Sequence, residues 1–183
     1  MLLDVTFAFM CGVTLFHFAR QEVSICILDA LNTTLQKYNT VTVLKLTSCQ
    51  INAYGILQIA QTLTELECLD DLNLDDNPNV QENYYLLCAP TRNLRYLSLR
   101  MCKLSDNGIQ RIANELTYRD PPNDPKLIAL NVADNDITDI GAEYIAAMLR
   151  TNRSRIVAKT LLGIVTFDPS PRESSFNENV PEH

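Results

Sequence analysis

Val41-x-x-Leu44-x-Leu46-x-x-Cys49 returns three times along the chain: as Leu69-x-x-Leu72-x-Leu74-x-x-Asn77, as Leu94-x-x-Leu97-x-Leu99-x-x-Cys102, and as Leu127-x-x-Leu130-x-Val132-x-x-Asn135. Leu44 and Leu46 flank Lys45, so one face of a short strand enters a core and the other meets solvent. The Asn or Cys that follows suits a turn, where a short polar side chain can bond backbone groups left unpaired.

The starts at Val41, Leu69, Leu94 and Leu127 lie 28, 25 and 33 residues apart. A second landmark keeps constant offset despite that variation. Gly55, Asn83, Gly108 and Gly141 recur at one position, followed by Ile59, Leu87, Ile112 and Ile145. A small residue comes next each time: Ala60, Cys88, Ala113, Ala146. Leu63, Leu116 and Leu149 complete a helical face, and Thr91 breaks it. Each unit therefore reads as strand, turn and helix, with length variation absorbed in the loop after the helix. In the second unit, Asn77-Pro78-Asn79-Val80 places its apolar residue one position late. A local bulge is expected there, with the repeat kept.

The pattern is the signature of leucine-rich repeats. Units of roughly 28 residues with full helices resemble the ribonuclease-inhibitor class, which implies an α/β solenoid with parallel concave strands and convex helices. Four full repeats are expected over residues 41–154, after an irregular unit over 1–40. A doubly wound nucleotide-binding sheet also alternates strand and helix. It needs a glycine-rich phosphate loop, and this chain has five glycines and no such motif.

Net charge is −7 over 183 residues. Phosphate neutralisation needs clustered Lys and Arg, so nucleic acid is not expected as a partner, nor is an anionic membrane surface. Six cysteines include no C-x-x-C pair and only two histidines accompany them, so no zinc site is expected. Cys49 and Cys102 occupy the turn column and Cys88 the small core column. These suit free thiols in a reducing compartment. The sequons at Asn32 and Asn152 point the other way.

Residues 1–19, MLLDVTFAFMCGVTLFHFA, are apolar enough to suggest a targeting segment. Asp4 stands where a signal peptide carries Lys or Arg, and no small-residue cleavage site is clear. The favoured reading is structural: Val5, Phe7 and Phe9 alternate as a strand, and Val23, Ile27, Leu28 and Leu31 follow a helical face. At the other end, residues 155–167 fail the columns and are expected to cap the stack. The tail, 168–183, reads as disordered.

The alternation places Val43, Lys45 and Thr47, then Asp71, Asn73 and Asp75, then Tyr96, Ser98 and Arg100, then Ala129, Asn131 and Ala133 on the concave face. Lys45, Asp71, Asn73, Asp75, Tyr96, Arg100 and Asn131 are the candidate partner-binding residues, with Tyr96 and Arg100 of the types favoured as anchors. Asp75 and Arg100 share a row; the face reads either as a binding patch centred on Tyr96 and Arg100 or as a solvated surface on which Asp75 and Arg100 merely pair. Asp75, Asp76, Asp134, Asp136 and Asp139 read as a solvated rim. The loop Thr117–Pro125, stiffened by three prolines, is a further point of contact or a tolerated insertion. No catalytic residue, cofactor or small-molecule substrate is expected, because no histidine accompanies a Ser or Cys nucleophile in sequence.

A narrower resemblance rests on Asn77-Pro78 with Tyr84-Tyr85, on Leu94-Arg95-Tyr96-Leu97-Ser98-Leu99-Arg100, and on Gly141-Ala142-Glu143-Tyr144-Ile145-Ala146 with Leu149-Arg150-Thr151-Asn152-Arg153-Ser154. Over residues 41–154 the chain resembles the leucine-rich repeat-containing protein 71 family. That resemblance implies a non-enzymatic protein-binding scaffold, cytoplasmic, with links to cilia and flagella. The family carries further repeats where this chain departs at Arg155, so a fragment, isoform or divergent paralogue is expected. Two alternatives remain open. One is a GTPase activator of the leucine-rich repeat type, with Arg100 as the exposed strand arginine. The other is a membrane-tethered or secreted repeat protein, resting on residues 1–19.

Overall fold

A computed structural model describes residues 5–10, 13–19, 25–37, 40–88, 94–119, 127–151, 157–160 and 163–164. Eight strands pair in chain order: β1 (Val5–Met10), β2 (Val13–Ala19), β3 (Val43–Thr47), β4 (Asp71–Asn73), β5 (Tyr96–Ser98), β6 (Ala129–Asn131), β7 (Val157–Thr160) and β8 (Gly163–Ile164). Pairing from β2 through β7 is parallel, while β1–β2 and β7–β8 are antiparallel. Helices α1 (Ile25–Lys37), α2 (Ala53–Leu63), α3 (Asp106–Arg119) and α4 (Asp139–Thr151) connect the parallel strands, with a 3-10 segment, Pro78–Leu87, in the second unit. The chain is an α/β leucine-rich repeat solenoid whose sheet stays open.

The core lies between sheet and helices. Leu44, Leu72, Leu97 and Leu130 are register partners in one row, and all are buried. Ile59, Leu87, Ile112 and Ile145 face them from the convex layer, also buried. Ala60 and Ala113 beside them are buried too, as close helix-to-strand approach requires.

The turn column works as the sequence implies. The Asn77 carboxamide donates to the carbonyls of Leu46 (2.7 Å) and Leu74 (2.8 Å) and accepts from the amides of Cys49 (3.1 Å) and Ile51 (3.0 Å). Asn135 repeats this for the third unit, donating to Leu99 and Val132 and accepting from Cys102 and Leu104. Each Asn thus ties its own turn to that of the preceding Cys unit. The Cys49 and Cys102 thiols reach back a further strand, to the carbonyls of Phe18 (3.5 Å) and Leu74 (3.3 Å). Burial pushes the Cys102 thiol up to about 11, so it stays protonated at neutral pH. Just before this column the backbone is left-handed in all four units: Ser48 (φ 55), Asp76 (φ 57), Met101 (φ 57) and Asp134 (φ 56).

Two expectations need correction. First, the second unit carries no α-helix. Pro78 opens a 3-10 segment of 10 residues, broken at Gln81 (φ 60, ψ −132). A 3-10 helix rises about 2.0 Å per residue against about 1.5 Å for an α-helix. Each residue of a 3-10 turn thus advances the chain further than one of an α-helix, on either side of the kink at Gln81. Tyr84 fills the space behind it, fully buried, its hydroxyl donating to the Asn77 carbonyl.

Second, the N-terminal residues hold a unit in register. Phe16 and Phe18 pair with Leu44 and Leu46, and Leu31 and Leu35 of α1 are buried like Ile59 and Leu63 at the same offset. The strand at Val5, Phe7 and Phe9 is instead the outer arm of a hairpin. Ile27, Leu28 and Leu31 lie on α1, while Val23 falls outside the described residues.

At the C-terminal end, β7 carries the parallel ladder one strand past the fourth unit, Ala158 opposite Leu130, before β8 turns back. The remainder of 155–167, the tail 168–183 and the prolines of the Thr117–Pro125 loop lie outside the described residues. Among the described residues no helix is long and apolar enough to cross a membrane.

Candidate partner-binding face

The face of β3–β6 turned away from the helices carries the candidate residues in two rows fixed by register. One row is Val43, Asp71, Tyr96 and Ala129; the other is Lys45, Asn73, Ser98 and Asn131. The Thr47, Asp75, Arg100, Ala133 row sits at the strand ends, where Asp76 N–H donates to the Arg100 carbonyl and Met101 N–H to the Ala133 carbonyl.

Much of this face is committed to itself. The Asn73 side chain donates to Asp75 (3.0 Å) and accepts from the Thr47 hydroxyl (3.2 Å) and the Asp75 amide (2.9 Å). Asp75 also accepts from the Ser98 hydroxyl (2.6 Å) and the Arg100 amide (2.9 Å). Asn131 donates to Ser98 (3.1 Å) and accepts from the Ala133 amide. Side chains bonded on several sides are held in fixed rotamers, so this network is a rigid floor more than a set of free donors.

The side-chain pair of Asp75 and Arg100 that the solvated-surface reading implies does not form. Arg100 Nε binds Asp134 (2.5 Å) on the next unit, and only its backbone amide reaches Asp75. Strand alternation alone misses this partner, because Asp134 belongs to the left-handed turn beyond the strand. Arg100 and Asp134 are each about half exposed, so the pair contributes roughly 0–1 kcal/mol. Arg95 and Asp70 form a looser contact at 3.8 Å along the opposite edge of the face. The acidic rim is likewise bonded in part, with Ser48 donating to Asp76 (2.7 Å).

Lys45, Asp71 and Tyr96 stand outside the bonded floor. Tyr96 is 42% exposed, among the large hydrophobic side chains left open in the described residues. It borders a shallow depression of about 220 Å³ over the middle strands, lined also by Asp71, Asn73, Ser98 and Asn131. Burial raises the pKa of Asp71, and Lys45 works against that rise. Among the described residues no cation lies within ion-pair distance of Asp71. No group of His, Cys, Asp and Glu among the described residues is arranged to hold a metal ion. His17 lies half-buried on β2, opposite Lys45.

A leucine-rich repeat family model matches residues 92–113 and 123–146, the third and fourth units. The chain is similar to ribonuclease inhibitor of Sus scrofa, 29% identical over 153 residues, covering 74% of this chain and 32% of the relative. It is also similar to NACHT, LRR and PYD domains-containing protein 13 of Homo sapiens, 28% identical over 115 residues, covering 61% of this chain and 10% of the relative. The chain thus spans a third or less of the curated relatives it matches. The repeat columns, the open parallel sheet backed by helices and these similarities agree: the chain is similar in fold and sequence to leucine-rich repeat proteins of the ribonuclease-inhibitor type.

Proposed function

We propose that the chain is a non-enzymatic module that binds a protein partner on the open face of β3–β6. The observation that carries this reading is Tyr96: an aromatic ring held open beside a depression, on a floor whose polar groups are already bonded. Such a surface loses little side-chain entropy on docking, and Tyr is among the residues that dominate interface energy. Lys45, Asp71, Tyr96 and the Arg100–Asp134 pair are the contacts; Asn73, Asp75 and Asn131 hold the floor. The resemblance to the leucine-rich repeat-containing protein 71 family supports a scaffold role in a ciliary or axonemal assembly, within the cytoplasm.

The test is affinity purification from ciliated cells with three forms of the chain. Wild type and a convex-face variant, Tyr54→Glu, are expected to recover the same partner, and Tyr96→Glu to lose it. Equal recovery by all three, with circular dichroism showing intact folds, would place binding elsewhere.

A further inference from the structure

The depression beside Tyr96 favours one kind of partner group, an inference that rests on reading β3–β6 as the contact face. Asp71 and Tyr96 are register partners on adjacent strands, roughly 4.8 Å apart. On the other side, the register partner of Tyr96 is Ala129, a small side chain that also lines the depression. Other charges nearby are engaged, Arg95 with Asp70, Arg100 with Asp134 and Asp75 with three donors, while Lys45 also lines the depression. Asp71 is half-buried, and Lys45 influences it without forming an ion pair. A carboxylate in that state costs desolvation energy that an incoming cation would recover.

We infer that this depression seats the guanidinium of an arginine side chain on the protein partner. A guanidinium is planar and weakly hydrated. It can stack on the Tyr96 ring while donating two parallel hydrogen bonds to Asp71. An ammonium group matches the charge but is strongly hydrated and cannot stack in this way. A carboxylate would meet Asp71 and Asp75 in a chain that already carries −7.

The experiment is an amide-resolved NMR titration of the full chain with the capped tripeptide Ac-Gly-Arg-Gly-NH2. Peptides carrying citrulline, lysine or glutamate in the central position serve as controls. Citrulline keeps the shape and removes the charge. The arginine peptide is expected to shift the amides around Asp71, Tyr96 and Ala129 saturably, with millimolar affinity. The citrulline peptide should bind about tenfold more weakly, the loss of one charge-assisted contact. Asp71→Asn and Tyr96→Ala should each abolish the localised shifts, and Asp136→Asn should not. Equal binding of the arginine and citrulline peptides would overturn the inference, as would shifts centred elsewhere or no saturable shifts. Failure of the peptide while Tyr96→Glu still loses the purified partner would remove the arginine claim and leave the contact face. Failure of both would remove the face as well.

Discussion

Asn77 and Asn135 show what one side chain can do in a repeat stack. Each is buried, and each bonds at least four backbone groups from two neighbouring units. Asn135→Ala would strand two amides and two carbonyls, so a loss of about 3 kcal/mol is expected, read as a lower denaturation midpoint at unchanged slope. Met101 is the opposite case. It is 48% exposed and sits at φ 57, where equivalent positions hold Ser48, Asp76 and Asp134. Asn tolerates this conformation far better than Met. Met101→Asn should therefore raise stability by roughly 0.5–1 kcal/mol in the same denaturation experiment. The Asn and Cys columns were legible because one short polar residue recurs at a fixed offset. The Arg100–Asp134 pair was not, since alternation says which face a strand residue takes but not where the turn after it points.

Elements are joined mainly by clasps between successive units. Asp106, in the first turn of α3, accepts from the Thr138 amide (2.8 Å) and hydroxyl (2.6 Å) and the Gly141 amide (3.0 Å), capping α4 from the neighbouring repeat. Glu82 approaches Ser105 of the next unit in a similar way, at 3.5 Å. The bonds to Thr138 hold the Asp106 carboxyl below its ordinary pKa. A depressed folded pKa contributes stability above the unfolded value, near 4, and loses it as pH falls through the lower folded value. Wild type should thus outlast Asp106→Asn at pH 7 in thermal melts, and the gap should close as pH falls below about 4. A gap that does not vary with pH would mean the carboxylate charge is irrelevant to the clasp. Gly141 is held to glycine by the same clasp. A Cβ there would collide with the Asp106 carboxylate and come within 2.6 Å of Ile137, so Gly141→Ala should destabilise by about 1–3 kcal/mol. The helices of units one, three and four were legible from the Ile and Ala columns. The 3-10 segment was not, because Val80, Tyr84 and Leu87 keep apolar residues near helical spacing while Pro78 and the turn at Gln81 change the rise.

At the scale of the molecule, strict register made the solenoid legible. A strand set that repeats its side-chain pattern at fixed offset can only pair in parallel with helices behind it. The ends were less legible for the same reason. The β2–α1 unit uses Phe16 and Phe18 where others use Leu, and Gln21 stands where the Asn or Cys would be. The outer strands β1 and β8, antiparallel to their neighbours, stand outside the parallel repeat ladder. The β7–β8 hairpin is proposed as the C-terminal cover. Ending the chain at Ser154 exposes the edge of β6 and should lower the thermal midpoint by several degrees, given that about 1 kcal/mol shifts a domain of this size by roughly 2–4 °C. The proposed contact face lies on β3–β6, between the two terminal hairpins, and can be tested directly. A photo-crosslinking residue would replace Tyr96 on the sheet face, or Leu57 on the convex face of α2, in the full chain expressed in ciliated cells. Crosslinks to one discrete partner from position 96, and none from position 57, are the expected result. Crosslinks from position 57 alone would contradict binding through the sheet.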